Sequence, residues 1–128
     1  MIHHISLGTN DVGRAKVFYD AVFAVLGLRL LSQDDKSLDY GVGTIFFSLE
    51  TPVDGKKATA GNGVHIAFMA QDPAMVDEFH RVALENGGTD DGAPGLRPEY
   101  NPHYYGVFVR DPDGNKIEAV THAARKGG

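Results

Sequence analysis

The 128-residue chain contains no cysteine. That excludes disulfide frameworks, cysteine-ligated zinc, iron–sulfur clusters and thiol nucleophiles. Any bound metal must be held by His, Asp or Glu. A basic excess is missing too: 12 Lys and Arg stand against 17 Asp and Glu, for a net charge of −5. Such a balance argues against nucleic acid or an anionic membrane as partner. No apolar run approaches the ~20 residues of a membrane span. Met1-Ile2-His3-His4 has neither a basic nor an apolar stretch. No signal peptide is therefore expected, and the expected compartment is the cytoplasm.

What the chain has in plenty is glycine, 16 residues of the 128, where an average chain carries about 7 %. Strands and turns are expected rather than a helical bundle. The length predicts one domain over residues 1–128. Within it runs an internal repeat. His4 and His65 stand 61 residues apart, and so do Asp11 and Asp72, Phe18 and Phe79, and Gly27 and Gly88. One shared offset in matching roles predicts two copies of one unit.

Each half reads alike. Residues 2–8 alternate as a strand, and Asp11 stands where a helix N-cap would. Ala15, Phe18, Val22, Val25 and Leu26 follow at helical spacing, with Gly27 as the stop. Strands are expected near 28–33, 37–42 and 44–50. The second half has a strand at 63–69 and Asp72 before a helix with Pro73 at its first position. Val76, Phe79 and Ala83 form the apolar stripe, and Gly87-Gly88 the stop. Strands near 89–91, 104–110 and 115–121 close the half, the last two joined by the turn Asp111-Pro112-Asp113-Gly114-Asn115. The predicted class is α+β: two βαβββ modules, about 2–50 and 63–121, forming a cupped mixed sheet with helices on the convex face. Residues 51–62 read as a linker. Residues 92–103 hold Pro94, Pro98 and Pro102 and read as an extended loop. Arg125-Lys126-Gly127-Gly128 is expected to be a loose tail.

Alternation assigns faces. Ile5 and Leu7, Ile45, Phe47 and Leu49, Ile66 and Phe68, and Ile117 and Ala119 should cover the helices. The opposite face then carries His4, Ser48, Glu50, His65 and Glu118. Two imidazoles and a carboxylate, His4, His65 and Glu118, match a set that leaves positions open on a divalent metal. The bland alternative is a pair of structural strand histidines. Their equivalent places in the repeat, with a Glu on the same face, favour the metal. Arg97, Tyr100, Asn101, His103, Tyr104 and Tyr105 crowd into nine residues. They could close over the cup: Arg97, Asn101, His103 and Tyr104 as substrate contacts with Ser48, and Tyr100 or Tyr105 with Glu118 as proton carriers. The alternative is a proline-fixed loop whose aromatics pack on the sheet. His122 shares the parity of Glu118 but sits at the strand end, where a surface role is expected.

Taken together, His4 with Asp11, the stretch Gly63-Val64-His65-Ile66-Ala67-Phe68, and Asp111-Pro112-Asp113-Gly114-Asn115-Lys116-Ile117-Glu118 resemble the vicinal oxygen chelate superfamily. That superfamily includes glyoxalase I, extradiol dioxygenases, and fosfomycin and bleomycin resistance proteins. The resemblance covers about 2–121. It implies a metal held by His4, His65 and Glu118, with Fe²⁺, Mn²⁺, Zn²⁺ and Ni²⁺ all able to accept such ligands. Glyoxalase I has a fourth ligand where Ser48 stands here, and Ser48 is not an expected ligand. The resemblance implies a metal-dependent enzyme acting on a small oxygen-rich molecule, with lyase, isomerase or dioxygenase chemistry. The alternative is a metal-free protein that sequesters a small molecule, as bleomycin resistance proteins do. Relatives of this size often set modules of two chains side by side, so a homodimer is expected.

Overall fold

The computed structural model describes residues 1–123, so the tail expected at 125–128 lies outside the described residues. The first module runs β1 (Ile5–Gly8), α1 (Val12–Leu26), β2 (Arg29–Gln33), β3 (Ser37–Val42) and β4 (Thr44–Glu50). The second runs β5 (His65–Met69), α2 (Pro73–Glu85), β6 (Thr89–Asp90), β7 (Gly95–Leu96), β8 (Tyr105–Arg110) and β9 (Lys116–Thr121). The expected order of elements is present in both. Two details differ. β1 begins at Ile5, which leaves the exposed Met1–His4 ahead of it. The proline-bearing loop contains the short β7, which pairs with Tyr105 and Gly106 of β8.

Local chemistry sets the helix ends. The Asp11 carboxylate accepts from Arg14 N at 2.9 Å, and the Asp72 carboxylate from Met75 N at 2.9 Å. These bonds satisfy amides that a helix start leaves unpaired. Gly27 ends α1 in the left-handed region at φ 82°. The fourth match of the repeat does a different job. Gly88 lies beyond the Asn86 cap of α2. A Cβ on it would stand 2.6 Å from Phe18 Cε1 and 2.9 Å from the Ala83 carbonyl oxygen. Gly88 is needed for close packing of the two modules, Gly27 for backbone conformation.

The strands form two hydrogen-bonded sheets, β1-β4-β3-β2 and β5-β9-β8-β6, rather than one continuous cup. β1 lies parallel to β4 and β5 parallel to β9, and each is an edge. Side chains, not a ladder, join the modules. Phe18, Tyr19 and Phe23 of α1 and Phe47 of β4 are buried with Phe68, Val76, Phe79 and Ile117 of the second module. The rings of Phe23 and Phe68 meet at 5.0 Å, and those of Phe47 and Phe68 at 5.3 Å. Each fully buried Phe contributes about 1.5–3 kcal/mol.

The 111–115 turn is the polar half of the same junction. Tyr19 donates its hydroxyl to Asp111 at 2.6 Å. Thr9 Oγ1, Asn10 N and the Arg14 guanidinium donate to Asp113 at 2.6, 2.9 and 2.7 Å. Asn115 Nδ2 reaches the Gly8 carbonyl at 3.2 Å. The β8–β9 hairpin, and with it Glu118, is thereby tied to the start of the first helix.

Candidate metal and substrate site

In the second sheet, alternation turns Ile117 and Ala119 into the core, where both are fully buried. Glu118 between them points the other way. Its strand neighbours are Ala67 on β5 and Phe108 on β8, and His65 lies opposite Lys116 one step along. Despite facing away from the core, Glu118 is only 1 % exposed. Its carboxylate is enclosed by side chains. Oε1 lies 3.2 Å from Nε2 of the half-exposed His65, and Oε2 accepts the Tyr104 hydroxyl. Burial, and then the bond to Glu118, hold the Tyr104 phenol well above its ordinary range. Gly106 makes room for this contact. A Cβ there would stand 3.1 Å from Glu118 Oε2 and 3.2 Å from Tyr104 Cε1.

Around this pair the face changes character from end to end. On one side the Lys116 ammonium and the Arg97 guanidinium lie 4.8 and 5.5 Å from the Phe108 ring centroid. On the other, Ala67 and Met69 of β5 and Val120 and His122 line a mostly apolar groove of about 590 Å³. Two adjacent donors on one cation with bonds of about 2.0–2.2 Å lie roughly 3.0–3.5 Å apart. The His65–Glu118 separation of 3.2 Å meets that requirement. An imidazole nitrogen beside a buried carboxylate oxygen is also the right chemistry for a borderline divalent ion.

A family model described as the Glyoxalase/Bleomycin resistance protein/Dioxygenase superfamily matches residues 1–119. The chain belongs to that superfamily. It is the vicinal oxygen chelate superfamily that the motifs resemble. A curated member, the metallothiol transferase FosB of Shouchella clausii (strain KSM-K16), is 27 % identical over 94 % of this chain and 79 % of its own. A solved glyoxalase/bleomycin resistance protein of Albidiferax ferrireducens T118 is 38 % identical, with a TM-score of 0.82 over 91 % of this chain and 94 % of that one. The lactoylglutathione lyase of Agrobacterium tumefaciens is 27 % identical, with a TM-score of 0.65 over 94 % of this chain and 92 % of that one.

Against this superfamily's fold, the expected site residues separate into groups. His65, Glu118 and Tyr104 come together. His4 does not join them: it precedes β1, is exposed, and its Nδ1 lies 2.8 Å from that of His3. Among the described residues no three of His, Asp and Glu gather as a metal would need. The expected set of His4, His65 and Glu118 is therefore not assembled within one chain, and a shared site between two chains is the other arrangement the sequence left open. No backbone ladder among the described residues joins the two sheets, so strand parity in one does not align its face with the other.

Ser48 also belongs to the first sheet. It is buried and donates to Asp39 at 2.7 Å, while Ser32 donates to the other oxygen of Asp39 at 2.6 Å. Tyr105 is a second correction. It pairs with Thr121, on the parity opposite to Glu118, and donates to Asp77 of α2 at 2.6 Å. That bond, with some burial, pushes its phenol up to about 12. It faces the helix, on the side of the sheet away from Glu118.

The rest of the loop borders the second sheet's open face. Arg97 donates to the Ala93 carbonyl at 2.7 Å beside Phe108. Tyr100, 60 % exposed, meets Tyr104 edge-on at 5.1 Å. The Asn101 side-chain oxygen Oδ1 accepts the His103 backbone N–H at 2.8 Å, which shapes the turn. His122 leans on Tyr104 at 5.2 Å. The sequence reading missed Gly106, Phe108, Lys116 and Asp39. The first three were available from parity, since 106 and 108 alternate with 104 beside Glu118 and Lys116 shares the parity of Glu118 on β9.

Proposed function

We propose that this chain is a metal-dependent enzyme of the superfamily, acting in the cytoplasm on a small oxygen-rich molecule. His65 and Glu118 of one copy and His4 of a second copy in a homodimer hold the divalent metal. The observation that carries this reading is the His65–Glu118 pair: an imidazole and a buried carboxylate at ligand separation on an open face. Two further features support assembly. His4 is exposed and lies apart from that pair. The free-edge strands β1 and β5 are flanked by exposed apolar Ile2, Val64 and Met69, the last 87 % exposed.

A divalent cation at this place would supply Lewis acidity to substrate oxygens. The chain's own residues do the remainder. Glu118 contributes the negative charge that anchors the ion. Arg97 and Lys116 flank Phe108, where they would offset negative charge on a substrate. Lyase or group-transfer chemistry is favoured over dioxygenation, because relatives that are 27 % identical are a metallothiol transferase and a lactoylglutathione lyase.

Metal analysis of protein purified without chelator or nickel resin, together with light scattering, tests the reading. One divalent ion per chain in a dimer is expected. A monomer at high micromolar concentration, or protein that takes up no ion after loading, overturns it. The second reading, a metal-free binding protein, then leads. One observation favours it: Tyr104 and His65 already satisfy the Glu118 carboxylate, beside an apolar groove of about 590 Å³.

A further inference from the structure

We propose that Tyr104 is a positioning residue that makes Glu118 a one-oxygen metal ligand. This rests on the metal reading above. A carboxylate can grip a cation through one oxygen or both, and the choice decides how many positions remain for substrate. Here the two oxygens are in different situations. Oε1 faces His65 Nε2 at 3.2 Å, and Oε2 is taken by the Tyr104 hydroxyl. Bonds from a hydroxyl to an ionised carboxylate are among the stronger hydrogen bonds. With Glu118 1 % exposed, little water is at hand to replace it.

The tyrosine is held where it must be for this task. Its backbone is fixed at both ends, with Arg97 N donating to the Tyr104 carbonyl at 2.7 Å and Tyr104 N donating to the Asn101 carbonyl at 3.0 Å. Its ring is flanked by Tyr100 at 5.1 Å and His122 at 5.2 Å. Gly106 keeps the path from phenol to carboxylate clear. A residue that merely waited for substrate would not need its hydroxyl spent on the ligand. Partners that orient a metal ligand typically matter by about 10- to 100-fold in metal affinity.

The test is Co²⁺ titration of apo protein, followed by visible absorption, for wild type, Tyr104→Phe and Gly106→Ala. Tyr104→Phe should weaken Co²⁺ binding by about 10- to 100-fold. Its cobalt bands should also change in intensity, because the second oxygen of Glu118 would no longer be held away from the ion. Gly106→Ala, which displaces the phenol while keeping it, should move both readouts the same way. Far-UV circular dichroism checks that each variant is folded. Wild-type affinity and spectrum in both variants overturn the role given to Tyr104 and leave the metal reading standing. A wild type that binds no Co²⁺ overturns the metal reading, and this inference with it.

Discussion

Removing the Asp113 carboxylate should loosen the junction between the modules far more than removing its cationic partner. The Asp113 side chain is 2 % exposed, whereas that of Arg14 is 47 % exposed. Asp113 accepts three bonds, from Thr9 Oγ1 at 2.6 Å, Asn10 N at 2.9 Å and Arg14 at 2.7 Å. Hydrogen bonds to charged groups contribute about 1.5–3 kcal/mol each, but the three do not add. Asn10 and Arg14 are exposed and regain water when the carboxylate goes. Thr9 is fully buried and can turn only toward the Asp11 carbonyl, 3.2 Å away. The net loss for Asp113→Ala is therefore about 2–4 kcal/mol. For Arg14→Ala the loss is at most about 1 kcal/mol, as for other exposed ion pairs.

Urea unfolding followed by circular dichroism reads both. With a slope near 2 kcal/mol per M, Asp113→Ala should lower the midpoint by about 1–2 M at unchanged slope. Arg14→Ala should lower it by no more than about 0.5 M. The double variant should resemble Asp113→Ala alone, because the arginine has lost its partner already. Equal losses in the two single variants would refute the reasoning, since the junction would then rest on the surface ion pair.

Tyr19→Phe should cost about 1.5–3 kcal/mol at neutral pH by depriving Asp111 of its buried donor. Burial raises the folded pKa of Asp111 and the Tyr19 bond lowers it. The variant's folded pKa is thus higher still. Its deficit should be smallest in acid, grow as pH rises from the wild type's raised folded value to the variant's higher one, and then level off. A deficit that does not change with pH in urea titrations from acid to neutral counts against this. Gly88→Ala should destabilise by about 1–3 kcal/mol by overpacking, since its Cβ would meet Phe18 and the Ala83 carbonyl; thermal melts check it. Glu118→Gln should weaken divalent metal binding in calorimetric titration while leaving the urea midpoint nearly unchanged. Equal affinity in wild type and variant would remove Glu118 from the ligand set.

Much of the fold could be read in the residues because each signal was local. An aspartate before a helical apolar stripe has one good use, and Asp11 and Asp72 both cap. Alternation over β5 and β9 placed Phe68, Ile117 and Ala119 inside and His65 and Glu118 outside. Repeat matching was less secure where one residue type can serve two ends. Gly27 relieves a left-handed backbone, while Gly88 yields space to Phe18, and glycine in a sequence does not say which. Tyr104 and Tyr105 show the same difficulty at the strand start. Neighbours in a crowded motif must face opposite sides, so only one of them could reach Glu118; the other went to Asp77.

That the structure brings His65 and Glu118 together without His4 has a definite physical cause. Parity states which side of its own sheet a residue occupies. It can therefore join two residues only when their strands are neighbours in one sheet. β5 and β9 are such neighbours, with Ala67 opposite Glu118 and His65 one step away, and that pair was recoverable. β1 is hydrogen-bonded to β4 and to no strand of the second module. Whether His4 reaches Glu118 depends on how two independent faces are brought together, which the pleat does not encode. Interactions between the modules could have encoded it. Those of the 111–115 turn instead join the second module to the start of α1 and do not involve His4, which the proposed site takes from a neighbouring copy. A His4→Ala variant should therefore keep the urea midpoint of the wild type while losing metal affinity. If the midpoint falls together with the affinity, His4 is acting on the fold of its own chain, and the shared site is wrong.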